Sequence, residues 1–187
     1  MDQDLVTQAQ QGDQGAFEAL TVANHPRLFK VAYGILRDRH LAEDATQQAF
    51  LDIWRHIPRL RDTSRFEAWS YRLLVNACYD EAKRRPTWVP TDNVMPGDMP
   101  LSRDASDPAI ARDQLNRALQ RLSLEHRVVL VLRYLLDLSP DEIGEMLDIP
   151  RRTVYSRLQR ALDSVRSVLE ADARITEQGS VSPEVTR

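Results

Sequence analysis

Residues 139–166, SPDEIGEMLDIPRRTVYSRLQRALDSVR, decide the fold, because they read as a helix, a tight turn and a second, arginine-rich helix. Ser139 can cap the first helix, Pro140 suits its first helical position, and Glu142 completes an S-x-x-E capping box. Ile143, Met146 and Leu147 supply that helix's inward face. Asp148-Ile149-Pro150 then breaks the chain, since Pro150 disfavours helix at Ile149 and presets the start of the next one. Along the second helix, at about 100° per residue, Val154, Leu158, Ala161, Leu162, Val165, Val168 and Leu169 fall in one stripe. Arg152, Tyr155, Ser156, Gln159 and Arg160 face the opposite way. Between 151 and 166 there are five arginines and one acid, Asp163. Arginine offers a planar fork that matches the two acceptors of a guanine edge, or a phosphate, which lysine does not copy. A DNA-reading helix-turn-helix is the sharp interpretation, and an amphipathic surface helix with a solvated basic face is the plain one.

Every other periodic stretch also reads as helix. Asp13 can cap a helix carrying Phe17 and Leu20, and Leu28, Val31, Ile35 and Leu36 mark the next. Residues 41–57 form a third and 66–85 a fourth, stopped by Pro86. Asp107-Pro108 starts a helix over 108–122, and Ser123 opens one running to about Leu136. No stretch alternates with period two for long enough to be a strand, so the expected fold class is all-α. Residues 87–107 hold Pro90, Pro96 and Pro100 with no helical or strand period, which predicts a linker. The expected organisation is two small helical domains, 1–86 and 108–170, joined by that linker and followed by a disordered polar tail, 171–187.

The net charge of −3 is unevenly spread over the 187 residues. Residues 1–86 carry 12 basic and 12 acidic groups, 87–107 one and four, 108–170 ten and nine, and 171–187 two and three. The acidity sits largely in the linker, so non-specific affinity of the whole chain for DNA should be weak. A single cysteine, Cys78, excludes an internal disulfide and lies in an apolar run, as a buried structural thiol would. Asp2 and Asp4 occupy what would be a basic leader, and the most apolar run, Val128–Leu136, is too short to span a bilayer and carries Arg133. A soluble, cytoplasmic protein with no direct membrane insertion is expected. His25, His40, His56 and His126 are isolated and lack ligand spacing with Cys78, and among six glycines there is neither a Walker A pattern nor G-x-G-x-x-G. No metal site, cofactor or catalytic residue is expected, and the chain does not read as an enzyme.

Two N-terminal helices carry further signals. In 41–57, Leu41, Ala42, Ala45, Ala49, Phe50, Ile53, Trp54 and Ile57 cover roughly 220° of the circumference, where a surface helix needs little more than about 100°. Glu43, Asp44, Gln47, Gln48 and Asp52 fill much of the remainder, with Leu51 among them. That face suits docking on a basic, partly apolar partner, and equally a central bundle helix flanked on two sides. In 66–85, Arg72, Asn76, Tyr79 and Lys83 make one polar stripe, which Arg65, Trp69, Arg84 and Arg85 extend. Cations hold phosphate, flat rings stack on bases and an amide bonds a base edge, as unpaired DNA requires. Phe66 reads as core.

Five strings in order, DLVTQAQQGDQGAF at 4–17, AEDATQQAFLDIW at 42–54, FEAWSYRLLVNACYDEAKRR at 66–85, LSLEHRVVLVLRYLLDLSPDEIGEML at 122–147 and PRRTVYSRLQRAL at 150–162, resemble a bacterial extracytoplasmic-function (ECF) sigma factor. The resemblance covers about residues 3–170. It implies that the N-terminal half binds the clamp helices of the largest subunit of core RNA polymerase and captures the minus-ten promoter element. The C-terminal half would read the minus-thirty-five element. The clamp-binding segment would be the helix bearing Asp44, Gln47, Gln48, Phe50, Leu51 and Trp54. Residues 58–65, PRLRDTSR, match the loop that cradles a flipped minus-ten base, and Asn76 the amide beside it; with them go Arg61, Arg65, Trp69, Arg72, Tyr79, Lys83 and Arg84. Arg151, Arg152, Thr153, Tyr155, Ser156, Arg157, Gln159 and Arg160 would form the minus-thirty-five set. The resemblance also implies an anti-sigma factor that could hold the protein at the membrane. One departure touches specificity: members commonly carry Gly-Thr-Val then a basic residue where this chain has Arg152-Thr153-Val154-Tyr155. The alternative function is a stand-alone helix-turn-helix regulator, which would bind a palindromic duplex as a dimer without polymerase.

Overall fold

The structure, a computed structural model, describes residues 3–84 and 108–179, the side chains of 108–112 and 172–179 excepted. The expected linker, 87–107, lies outside the described residues. Eight helices are formed among them: α1 Gln3–Gln10, α2 Gln14–Leu36, α3 Arg39–His56, α4 Phe66–Arg84, α5 Pro108–Gln120, α6 Leu124–Tyr134, α7 Pro140–Leu147 and α8 Arg151–Gly179. Short 3-10 turns occupy Ile57–Arg59 and Thr63–Arg65. The fold is all-α, as the periodicity implied.

Helix boundaries follow from local chemistry. Asp13 caps α2 by accepting from the Ala16 amide at 3.0 Å, and Asp38 caps α3 by accepting from the Leu41 amide at 3.0 Å. The two helices expected over 14–36 are one, because α2 continues through Pro26. The turn Val22, Ala23, His25 and Pro26 is exposed, so water can serve the carbonyl that loses its amide partner. Arg37 ends α2 in a left-handed conformation (φ 55°), its amide donating to the Tyr33 carbonyl at 2.9 Å. At the other end of the chain α8 passes the expected boundary at 170 and runs to Gly179. Polarity alone does not stop a helix, and ADARITEQ contains good helix formers and no breaker before the glycine. Residues 180–187 of the expected tail lie outside the described residues.

Helix α3 lies between α2 and α4 and buries Leu41, Ala42, Ala45, Thr46, Ala49, Phe50 and Ile53. Around it Leu28, Val31, Ile35, Leu36, Phe66, Leu74 and Val75 close a core in which each large side chain contributes roughly 1.5–3 kcal/mol. Cys78 belongs to that core; burial, and then the charge of Glu81, push its thiol far above the usual range, which suits an inert packing residue. In the C-terminal half α8 packs on α5, α6 and α7, burying Val128, Leu132, Ile143, Val154, Leu158 and Ala161. No helix among the described residues is long and apolar enough to cross a membrane.

The halves meet along a seam between α2 and α6, with a smaller contact between α4 and α7. Gly34 makes the approach possible: a Cβ there would sit 3.1 Å from Val131 Cγ2 and 3.9 Å from Leu135 Cδ2. Beside it the Arg37 guanidinium lies 5.0 Å from the Tyr33 ring centroid and donates to Asn116 Oδ1 of α5 at 2.5 Å. Arg127 of α6 is buried near Arg37; burial, and then that neighbouring cation, lower its pKa to about 10. Holding two guanidinium groups out of water at one contact has an energetic cost.

Candidate nucleic-acid and polymerase interfaces

The helix-turn-helix is built as its sequence implied. Ser139 accepts from the Glu142 amide at 3.3 Å while Glu142 Oε2 accepts from the Ser139 amide at 2.8 Å, closing the capping box of α7. The turn is pinned at Gly144, where an added Cβ would stand 3.0 Å from the Ile149 carbonyl oxygen. That close approach fixes where α8 starts. Val154, Leu158 and Ala161 face inward and are buried, while Leu162, expected in the same stripe, is 37% exposed. Arg151, Arg152, Tyr155, Ser156, Gln159 and Arg160 are exposed; Thr153 and Arg157 are half-buried. Gln159 donates to Asp163 at 3.1 Å, and Ser156 donates to the Thr153 carbonyl at 3.0 Å.

The polar stripe of α4 splits. Arg72, Asn76, Lys83 and Arg84 are exposed, Trp69 and Tyr79 are half-buried, and Phe66 is core. Lys83 stands 3.6 Å from Asp80 and Arg84 2.5 Å from Glu81, so DNA would compete with intrahelical partners for both cations. Tyr79 faces the C-terminal half. Burial lifts its hydroxyl above the ordinary phenol value, and the nearby Arg157 charge opposes that shift. Arg61 and Arg65 are exposed in the loop before α4, where Asp62 accepts from the Ser64 amide at 3.0 Å. Gln10 of α1 fastens that loop's origin by donating to the carbonyls of Ile57 and Leu60 at 3.1 and 2.6 Å.

On α3 the broad apolar face is chiefly accounted for by the two helices that flank it. Phe50 is buried and stacks on His25 with 6.1 Å between centroids, so it backs the surface and does not form it. Trp54 is half-buried, its ring tilted against Phe17 at 4.7 Å. Asp44, Gln47 and Leu51 remain outside, Leu51 being 51% exposed, and Gln48 donates to Asp52 at 3.0 Å. A second exposed apolar residue, Val22 at 70%, lies on α2.

Residues 20–87 match the family model for Sigma-70 region 2, and residues 112–165 that for Sigma-70 region 4. The ECF RNA polymerase sigma factor SigM of Mycobacterium tuberculosis is 34% identical over 164 residues, covering 86% of this chain and 80% of SigM. The chain belongs to the ECF sigma factors. The ECF sigma factor SigW of Bacillus subtilis is 28% identical over 182 residues, covering 88% of this chain and 94% of SigW. Two solved structures share the fold. One is CnrH in complex with the cytosolic domain of CnrY (TM-score 0.65, 24% identity, 91% of this chain and 98% of that one). The other is the sigma factor RpoE with the anti-sigma factor NepR from Bartonella quintana (TM-score 0.63, 21% identity, 83% and 98%). As an ECF sigma factor the protein recognises promoters and initiates transcription, its regions 2 and 4 binding core RNA polymerase and promoter DNA. Sigma factors are non-enzymatic initiation factors. A stand-alone regulator is not favoured.

Several positioning residues of this ECF sigma factor escaped the sequence. Gln10 and Asp62 shape the loop over 57–65; both fall within quoted strings, but a polar side chain carries no sequence signal of its partner. Asp141 also stood unremarked in α7, and it reaches Arg151 across the turn at 3.1 Å. Gly34 could have been noticed: a glycine inside a helix costs about 0.5–1 kcal/mol unless a neighbour needs the space.

Proposed function

We propose that the sigma factor divides promoter recognition between its halves, residues 1–86 serving the polymerase clamp and the minus-ten strand and 108–170 the minus-thirty-five duplex. Residues 87–107 join them. In the first half Asp44, Gln47 and Leu51 on α3 meet the clamp helices, with Gln48 and Trp54 at the edge and Phe50 behind them. Arg61, Arg65, Trp69, Arg72, Asn76, Tyr79, Lys83 and Arg84 line the path of the melted strand. In the second half Arg151, Arg152, Thr153, Tyr155, Ser156, Arg157, Gln159 and Arg160 face the major groove. The observation that carries this assignment is the exposed row Arg152, Tyr155, Ser156, Gln159 and Arg160 on a helix whose start is pinned at Gly144.

Tyr79 and Arg157 are neighbours across the seam, yet they are assigned to opposite promoter elements. Elements about 25 base pairs apart lie ~85 Å apart on straight duplex, at ~3.4 Å per pair. The seam therefore opens when both elements are bound, and polymerase supplies the binding energy that opens it. The chain acts in the cytoplasm, has no catalytic step of its own, and serves a signal-responsive set of promoters. An anti-sigma factor holds it inactive, by analogy with the complex of the sigma factor RpoE with the anti-sigma factor NepR.

The test is transcription from a promoter library by core polymerase with single variants. Arg160→Ala should relax preference in the upstream element alone, by about 1–3 kcal/mol. Arg72→Ala should weaken open complexes uniformly and flatten their salt dependence. An unchanged upstream profile in the first, or an unchanged salt slope in the second, contradicts the assignment of that residue.

A further inference from the structure

At the start of α8 one arginine is held unlike its neighbours. Arg151 Nη1 stands 3.1 Å from Asp141 Oδ2 in the first turn of α7, and Nη2 donates to the Tyr155 hydroxyl at 3.1 Å. The guanidinium also lies over the Tyr155 ring, 5.3 Å from its centroid. Tyr155, and secondarily Asp141, raise the Arg151 pKa above its ordinary value. The bridge spans two helices whose separation is set at Gly144, where the Arg151 amide nitrogen itself would stand 3.7 Å from an added Cβ. Among the described residues, Arg152 and Arg160, exposed on the same helix, enter no such ion pair.

We propose that Arg151 reads a guanine edge in the upstream element, and that Tyr155 and Asp141 are positioning residues that aim it. This rests on the assignment of α8 to the upstream duplex. Three considerations favour a base over a phosphate. A phosphate placed on Arg151 would stand beside the Asp141 carboxylate, and like charges at that range repel. A neutral acceptor such as guanine O6 or N7 carries no such cost. Paired with Asp141, Arg151 has less counterion release to gain than an unpaired arginine, and its guanidinium fork keeps N–H groups to donate. Holding the side chain in place before DNA arrives removes part of the ordering cost of a base contact. The tyrosine that replaces a basic residue at 155 thus has a physical role: it gives the cation one turn away a second partner that favours one orientation.

The experiment measures promoter-library transcription with core polymerase for Arg151→Ala, Tyr155→Phe, Asp141→Asn and the double variant Arg151→Ala/Tyr155→Phe. Arg151→Ala should lose roughly 5- to 150-fold discrimination at one upstream base pair, with the salt slope unchanged. Tyr155→Phe, which removes only the hydroxyl, should relax the same base pair by a smaller factor and add nothing in the Arg151→Ala background. Asp141→Asn should steepen the salt dependence, because Arg151 then becomes available to phosphate. Circular-dichroism melting of each variant separates these effects from loss of fold. Additive effects of Arg151 and Tyr155, a change at a different base pair in Tyr155→Phe, or a flatter salt slope in Arg151→Ala would each overturn the proposal. If Arg160→Ala alters the upstream profile while Arg151→Ala does not, only this proposal fails; if neither does, the assignment of α8 fails with it.

Discussion

Replacing Gly34 with leucine should force the two halves apart without harming either. The Cβ alone would sit 3.1 Å from Val131 Cγ2 and 3.9 Å from Leu135 Cδ2, both across the seam on or just beyond α6. Three further carbons cannot be placed there while the seam stays closed. Overpacking of this kind costs about 1–3 kcal/mol, which falls on the closed arrangement only. In the open arrangement the same change removes a mid-helix glycine and returns about 0.5–1 kcal/mol to α2. The closed-to-open ratio should therefore fall roughly 5- to 150-fold, while the N-terminal core melts no earlier than before. The assay is energy transfer between dyes on cysteines placed at the exposed positions Ala19 and Ser167, Cys78 being buried and inert. Transfer should drop in Gly34→Leu and drop less in Gly34→Ala, whose lone Cβ the Val131 side chain can accommodate. Undiminished transfer in a folded Gly34→Leu protein would refute the reasoning, as would early melting of the N-terminal half.

Three other outcomes are expected. The Ser139 hydroxyl, then its amide, hold the Glu142 carboxyl below the ordinary carboxylate range. A depressed pKa in the folded state contributes stability above the unfolded value and loses it as pH falls through the folded one, so Glu142→Gln should flatten the acid limb of the melting curve of α7. Leu51→Asp should shift the melting free energy by no more than about 0.5 kcal/mol, since Leu51 is half exposed, yet weaken association with core polymerase in a pull-down titration. Gln10→Ala removes two hydrogen bonds to the loop carbonyls, about 0.5–1.5 kcal/mol each, and should shorten open-complex lifetime while leaving duplex binding by the C-terminal half unchanged.

Legibility in the sequence followed the range of the interactions involved. The capping box at Ser139 and Glu142, the break at Pro150 and the inward row Val154, Leu158 and Ala161 are fixed within a few residues of each other, and sequence suffices for them. The breadth of the α3 face was legible but its meaning was not. Periodicity counts apolar positions and not the helices that cover them, so it left a docking face and a central bundle helix equally open, and Phe50 is buried against the bundle. Two helices were expected over 14–36 and one is formed, because Pro26 falls on an exposed turn where water can serve the carbonyl that loses its partner. The pairing of Asp141 with Arg151, the reach of Gln10 to residue 60 and the seam at Gly34 depend on packing between elements, for which a single chain carries no local signal.

Promoter recognition by this sigma factor is expected to draw most of its energy from polymerase. The direct measurement is fluorescence anisotropy of a cognate promoter fragment titrated with the purified chain, alone and with stoichiometric core enzyme, at one fixed salt concentration. Tight, sequence-selective binding with core and only weak, unselective binding without it is the predicted pair of curves. Equal, selective nanomolar binding in both would contradict the account.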